Sequence, residues 1–400
     1  MSERPRFVWP AAGNDMGEPT VIVTKRGEER VASGHPWIYR SDIAKEDAAP
    51  GAIVRVAGPK GRPLGFAFYS STSEIRLRMI ERRRALQESF LADRIAAAVT
   101  WRERIAEGAD ACRLVHGEAD GIPSLIVDRY GDVLVMQTLS QATEHLKPQI
   151  IDILVRTLHP KGIVERNDPK VRQLEGLERA VELVWGEVPD TLVVSEGTVK
   201  LNVDVRQGQK TGLFLDQREN HLATRNYARG RVLDAFCYDG GFALQAAQVS
   251  EEVTAVDISA APLGRLQANA ELNGLTIRTQ EANAFDLLHE LDTQSEQFDT
   301  VILDPPAFAK NKQSIPKAAR GYKEINLRAL KILRPGGILI TCSCSYHIHE
   351  ADFEALLESA ARDACVAVSV IEKRRQARDH PVLLAVPETY YLKCLILRRL

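Results

Sequence analysis

The chain has 400 residues, 44% of them hydrophobic and 26% charged, with a formal net charge of −2. This is ordinary globular composition, which excludes a disordered or collagen-like chain. No apolar run approaches the ~20 residues of a membrane span, and the balanced charge means that any RNA contact must rest on local patches. The six cysteines are unevenly placed, with no CxxC pair and no HExxH, so neither a disulfide framework nor a structural zinc is expected. Met1-Ser2-Glu3-Arg4-Pro5 lacks the apolar core of a secretory signal. The expectation is a reduced, soluble, cytoplasmic protein of two or three domains.

Residues 1–19 carry Pro, Gly, Asn and Asp without periodicity and read as a loose tail. Residues 20–85 are short alternating runs, the pattern of a small β barrel. Val21-Ile22-Val23 stops at a turn, Lys25-Arg26-Gly27. Ile53 to Val56, Gly65 to Tyr69 and Ile75 to Met79 follow. Residues 86–195 form a central α+β module. The spacing predicts a helix over 86–108, strands at Arg113–Val115, Leu125–Asp128 and Val133–Met136, a turn at Asp120-Gly121 and a helix over 141–158. Residues 196–400 alternate strand and helix, with strands at Val232–Asp234, Val253–Asp257, Thr300–Asp304 and Ile338–Thr341. That order predicts an α/β, Rossmann-like domain with a parallel sheet covered by helices on both faces. A hairpin that ends in Tyr390–Leu397 closes it.

Val232-Leu233-Asp234-Ala235-Phe236-Cys237-Tyr238-Asp239-Gly240-Gly241-Phe242 reads as a strand turning sharply into a helix. Gly240 and Gly241 let backbone approach a ligand closely. The spacing is not GxGxxG, which argues against a nicotinamide dehydrogenase. Asp257 ends the next strand, where a carboxylate can accept both hydroxyls of a ribose. Asn283, before Ala284, stands where a third strand would end and offers a carbonyl oxygen to an adenine amino group. Together these features point to S-adenosylmethionine.

Asp304-Pro305-Pro306 follows the fourth strand. Two prolines stiffen the backbone after an acid, so the turn presents a carboxylate and carbonyls to a flat, amino-bearing base. The fifth strand ends in Thr341-Cys342-Ser343-Cys344-Ser345, at the sheet edge where α/β ligands bind. A thiol has a use there. Carbon 5 of a pyrimidine is a poor nucleophile, and a thiolate added at carbon 6 makes it enamine-like. A nucleotide of a folded RNA must first be splayed out.

At these residues the chain resembles the RlmI-like family of bacterial 23S ribosomal RNA cytosine-5 methyltransferases, over nearly everything after residue 20. Gly34-His35-Pro36-Trp37-Ile38-Tyr39 looks like the family's N-terminal PUA domain. Arg113 to Pro123 resembles its central module. Gln209 to Arg218, Asp304-Pro305-Pro306, Arg320-Gly321-Tyr322-Lys323 and Asp379-His380-Pro381-Val382 are family-like. The resemblance implies an RNA-binding N-terminal domain and a class I methyltransferase that makes 5-methylcytidine in 23S rRNA. It implies Cys344, at the set distance after Gly336-Gly337, as the nucleophile, with Cys342 a packing neighbour. Asp304 is implied as the second catalytic residue. The cofactor residues are then Phe214, Asp216, Gln217, Arg218, Asp234, Phe236, Tyr238, Gly240, Asp257, Asn283, Ala284 and Asp304. Pro305, Pro306, Arg320, Tyr322 and Lys323 would meet the RNA, Tyr322 by stacking on a base. Two departures stand out: Pro306 replaces the second cysteine of many cytosine-5 RNA enzymes, and the usual acid near Asn283 is replaced by an amide.

Arg82-Arg83-Arg84 and Lys373-Arg374-Arg375 are basic runs, as often a solvated face as an RNA contact. Trp37 and Tyr39 could stack on RNA, but a Trp in a small domain is more often core. The N-terminal domains leave room for a homodimer. The competing readings are an N7-guanine rRNA methyltransferase, which needs no thiol, and a non-catalytic rRNA-binding assembly factor.

Overall fold

The computed structural model describes residues 19–82, 85–309 and 311–400. Arg83 and Arg84 of the first basic run, and all but the last residue of the expected tail, lie outside them. The chain divides into two compact units. One holds the residues up to 190, with 204–213 and 381–387; the other holds 191–203, 214–380 and 388–400.

The first unit contains two sheets. Thr20–Val23, Trp37–Tyr39, Ile43–Lys45, Ile53–Ala57, Pro63–Tyr69 and Ile75–Glu81 make a six-stranded sheet around Val21, Val23, Ile38, Val54, Val56 and Leu77. Lys25-Arg26-Gly27 is not the expected turn. It opens a helix, Lys25–Ala32, because the Thr24 hydroxyl accepts from Gly27 N at 3.3 Å and caps it. Ala111–His116, Leu125–Tyr130, Val133–Thr138, Gly162–Asn167 and Ala180–Gly186 make a second, five-stranded sheet in which sequence neighbours pair. Helix Phe90–Ile105 packs Phe90, Leu91, Ile95 and Val99 onto it and leaves Trp101 about half exposed, at 49%. The helix expected over 141–158 is two helices, Gln141–His145 and Lys147–Leu158, the second with Pro148 in its first turn.

The second unit holds a two-stranded ribbon, Leu192–Glu196 with Val199–Val203, and a seven-stranded sheet with strands β1 (Arg231–Ala235), β2 (Glu252–Asp257), β3 (Arg278–Glu281), β4 (Phe298–Leu303), β5 (Leu333–Ser343), β6 (Val368–Arg375) and β7 (Lys393–Arg399). Their spatial order is β3-β2-β1-β4-β5-β7-β6, with β7 antiparallel to both of its neighbours and the first five strands parallel. Helices α1 (Gly241–Ala247), α2 (Ala260–Leu272), α3 (Ala284–Thr293), α4 (Ile315–Ile332) and α5 (Glu350–Asp363) supply the crossovers. The strands read as apolar runs because both faces are covered. The strand order reverses between β1 and β4, and that switch point opens a crevice beyond the carboxyl ends of the strands. No helix among the described residues is long and apolar enough to cross a membrane.

A buried polar knot holds residues 204–213 in the first unit. Arg113 clamps Asp128 through two bonds, at 2.7 and 2.9 Å. Thr211 Oγ1 donates to Asp128 at 2.6 Å and lies 2.9 Å from the Tyr130 hydroxyl, which accepts from Leu213 N at 3.1 Å. Asp128 is fully buried, so Asp128→Ala removes the carboxylate that Arg113 clamps and Thr211 donates to, and should cost about 3–5 kcal/mol. All four tryptophans lie before residue 190, so the loss is read as a lower urea midpoint in tryptophan fluorescence.

Candidate active site at the carboxyl edge of the sheet

The turn after β1 is held in a rare conformation. Phe236 (φ 70°), Tyr238 (φ 50°) and Gly240 (φ 94°) are all left-handed. For non-glycine residues this costs about 1–3 kcal/mol each and persists only where surroundings impose it. Here Cys237 N donates to Val256 O at 2.9 Å, and Tyr238 N donates to Asp257 Oδ2 at 3.1 Å. The Tyr238 ring meets Phe214 edge-on, with centroids 5.1 Å apart, and Arg265 lies 5.1 Å over its face. Gly241 must be glycine for a separate reason. A Cβ there would fall 2.3 Å from His221 Cε1, so its absence lets His221 lie against the first turn of α1.

Carboxylates gather around this turn. Asp234, in β1, is fully buried; among the described residues no side chain hydrogen-bonds its oxygens, and the Ala243 N–H of α1 is the group that approaches them. Burial, then the charge of Asp304, raises its pKa well above the usual range. Asp304 follows the end of β4 and accepts from Gln217 Nε2 at 2.9 Å. Burial pushes Asp239 up to about 7. His221 Nδ1 lies 2.9 Å from Glu196 Oε1. Burial opposes the imidazolium, but Glu196, Asp304 and Asp239 outweigh it and raise the His221 pKa. Asp257 accepts from Tyr238 N and, at 3.0 Å, from Ser259 N, which leaves it lone pairs for a diol. The cluster favours a cation.

The two cysteines part company. Cys342 lies in β5 opposite Cys394 of β7 and is fully buried. Burial and Cys394 push its thiol well up. Cys344 lies just past the strand, half-buried, with Sγ 3.9 Å from the Pro305 carbonyl oxygen. Ser345 ties the two loops together. Its hydroxyl accepts from Ala309 N at 3.1 Å and pairs with the Tyr322 hydroxyl at 2.9 Å. The sequence-predicted residues of the β1 turn, Asp257, Asp304, Pro305 and Cys344 thus come to one sheet edge.

The other expected residues make these contacts. Tyr322 is fully buried on the inner face of α4, with its ring 4.6 Å from Phe308 and 5.6 Å from Phe353, so it does not stack on RNA. Lys323 pairs with Asp363 at 2.7 Å. Asn283 Oδ1 accepts from Phe285 N at 3.0 Å and caps α3, whose first residue, Ala284, is buried. Asp216 Oδ2 accepts from Tyr391 at 2.7 Å. Arg218 is buried near Asp379, at 3.5 Å, with Nε and Nη2 making no hydrogen bond among the described residues. Pro306 and Arg320 are exposed. Of the basic runs, Arg82 donates to Gly34 O, Lys373 pairs with Glu354, and Arg374 pairs with Glu372. Trp37 Nε1 donates to Glu118 at 2.8 Å, so it ties the two family-like motifs of the first unit together. Sequence reading passed over His221, Asp239 and Lys393. Lys393 carried a signal, a lone charge inside the run Leu392 to Leu397.

Known proteins show the same family and fold. A family model described as S-adenosylmethionine-dependent methyltransferase matches residues 146–398, and a PUA-like domain model matches 21–82. A Klebsiella pneumoniae protein, ribosomal RNA large subunit methyltransferase I, is 40% identical over 387 residues, 94% of this chain and 97% of its own. A Yersinia pseudotuberculosis protein of the same name is 38% identical over 93% and 97%. A methyltransferase crystallised with S-adenosylhomocysteine has the same fold at 20% identity, with TM-score 0.81 over 95% of this chain and 99% of that one. A SAM-dependent methyltransferase of Streptococcus mutans gives 0.79 at 19%, over 95% and 99%.

The residues fit this cofactor. The buried Asp234 carboxylate suits an ammonium, the carboxylates around it suit a sulfonium, and Asp257 suits a ribose diol. The raised Asp239 makes binding depend on pH. Without ligand, the folded chain holds an extra proton between about pH 4 and 7, so this group's contribution to stability falls as pH rises through that window. A cationic ligand prefers the ionised form, so S-adenosylmethionine should bind roughly five-fold tighter at pH 7 than at pH 6 and release a proton. Calorimetry in two buffers reads both effects, and Asp239→Asn should remove them. With cofactor and fold in agreement, the chain belongs to the S-adenosylmethionine-dependent methyltransferases and, within them, to the ribosomal RNA large subunit methyltransferase I family.

Proposed function

We propose that this chain methylates carbon 5 of a cytosine in 23S ribosomal RNA, with Cys344 as nucleophile and Asp304 as the acid that holds the base. The relatives' name supports a large-subunit ribosomal RNA substrate. The observation that carries the chemistry is the Cys344 thiol beside the Asp304-Pro305 turn, with Sγ 3.9 Å from the Pro305 carbonyl oxygen. S-adenosylmethionine, when bound, supplies an electrophilic methyl group. Cys344 adds to carbon 6 of the ring and makes carbon 5 nucleophilic. Asp304 would act in its protonated form: one oxygen donates its proton to the ring nitrogen as the sulfur adds, and the other accepts from the exocyclic amine, so the added electron density is neutralised. Once carbon 5 carries the methyl, loss of its proton expels the Cys344 sulfur. Pro306 stands where a second thiol would assist that release, so Asp304 or a water takes the proton. Exposed Pro306 and Arg320 would meet the flanking RNA, and the PUA-like domain would add affinity for its folded parts.

Purified protein, S-adenosylmethionine and unmodified large-subunit rRNA should yield new 5-methylcytidine by nucleoside mass spectrometry. Cys344→Ala should reduce it at least ~10³-fold while cofactor binding stays intact. New 7-methylguanosine in its place, or unimpaired turnover by the variant, would overturn the reading.

A further inference from the structure

Lys393 is a charged residue in an apolar strand. It opens β7 opposite Ser343 and is only 1% exposed. Its ammonium donates to the Ser345 carbonyl at 2.7 Å and to the Tyr391 carbonyl at 2.9 Å. Both acceptors are neutral. A buried charge held only by carbonyls is costly, and a methionine of similar length would fill the same space without that cost. The cost makes sense if the charge acts on something beside it. Ser345 is the residue after Cys344, so one ammonium hydrogen already fixes the backbone of the thiol's turn.

We propose that Lys393 is the positioning cation of the active-site thiol: it anchors the Cys344-Ser345 turn and holds Cys344 as a thiolate by charge. This rests on the reading of Cys344 as the nucleophile. Charged and titratable groups reach this pair from every packed element. Asp304, after β4, opposes a thiolate. Tyr322, on α4, is a buried phenol whose pKa burial raises and which the Cys344 charge raises further. Glu350, on α5, and Cys344 both raise the Lys393 pKa, against the burial that brings it down to about 8. Cys342 and Cys394 are a buried thiol pair. Lys393 supplies the positive charge that offsets Asp304. In the reaction the thiol proton goes to solvent, the sulfur electron pair forms the bond to carbon 6, and the carbon 5–carbon 6 π electrons move toward the ring nitrogen, which takes a proton from Asp304. Lys393 stays an ammonium throughout.

The test is the rate of Cys344 alkylation by iodoacetamide from pH 5.5 to 9.5, with the modified peptide quantified by mass spectrometry. Lys393→Met should move the midpoint up by about one pH unit or more and slow the reaction at pH 7 roughly tenfold. Lys393→Arg, which keeps the charge, should restore much of the shift. In the unmodified chain the native midpoint should lie below that of the same thiol in urea. This comparison decides the matter if Lys393→Met does not fold. Equal midpoints in the methionine variant and the parent, or a native midpoint at or above the unfolded one, overturn the proposal. Full methyl transfer by Cys344→Ala would instead overturn the reading of Cys344 as nucleophile and leave the lysine–thiol coupling standing, so the two failures are distinguishable.

Discussion

Two carboxylates at the ends of adjacent parallel strands set the terms for this site. Asp234 lies in β1 and Asp304 just beyond β4, at the place where the strand order reverses. Asp234 is fully buried with no side-chain hydrogen bond among the described residues, and the nearby Asp304 charge makes its own charge harder to hold. Such a pair is unfavourable in isolation and favourable around a cation. A cation placed between them would relieve it, and the strained turn from Phe236 to Gly240 borders the same sheet edge.

The same crowding sorts the thiols. Cys342, sealed against Cys394, is held in its neutral form by burial and its neighbour. Cys344, one step past the strand, escapes the core and faces the rigid proline turn. Ser345 then fixes the spacing, because its side chain bridges the proline loop and α4 while its carbonyl takes a hydrogen bond from Lys393. An adjacent pair of residues therefore divides the work: one carries the sulfur and the other holds it in place. Tyr322 belongs to this support as well.

Much of this was legible in the sequence, and the exceptions have physical reasons. The strands of the second unit stand out because both faces of a parallel sheet are buried, which leaves apolar runs ending in acids. Asp257, Asp304 and the glycine pair follow from those ends. Tyr322 was misread from its basic neighbours, although Ala318, Ile325 and Ala329 share its helix face and are buried with it. Helical period outweighs local charge there. The helix at Lys25 was hidden because eight mostly charged residues resemble a turn until Thr24 is seen as a cap. The roles of His221 and Lys393 depend on partners far away in the chain, Glu196 for one and the Ser345 carbonyl for the other, and no local pattern announces them.

The central claim is a covalent bond between Cys344 and a cytosine. RNA carrying 5-fluorocytidine tests it most directly, because fluorine at carbon 5 cannot leave as a proton and the sulfur cannot be expelled. With S-adenosylmethionine present, the account predicts a denaturation-resistant protein–RNA adduct whose crosslinked peptide contains Cys344. It also predicts that Cys344→Ala forms none. An adduct through another residue, or methyl transfer to ordinary rRNA with no adduct on the fluorinated one, would contradict it.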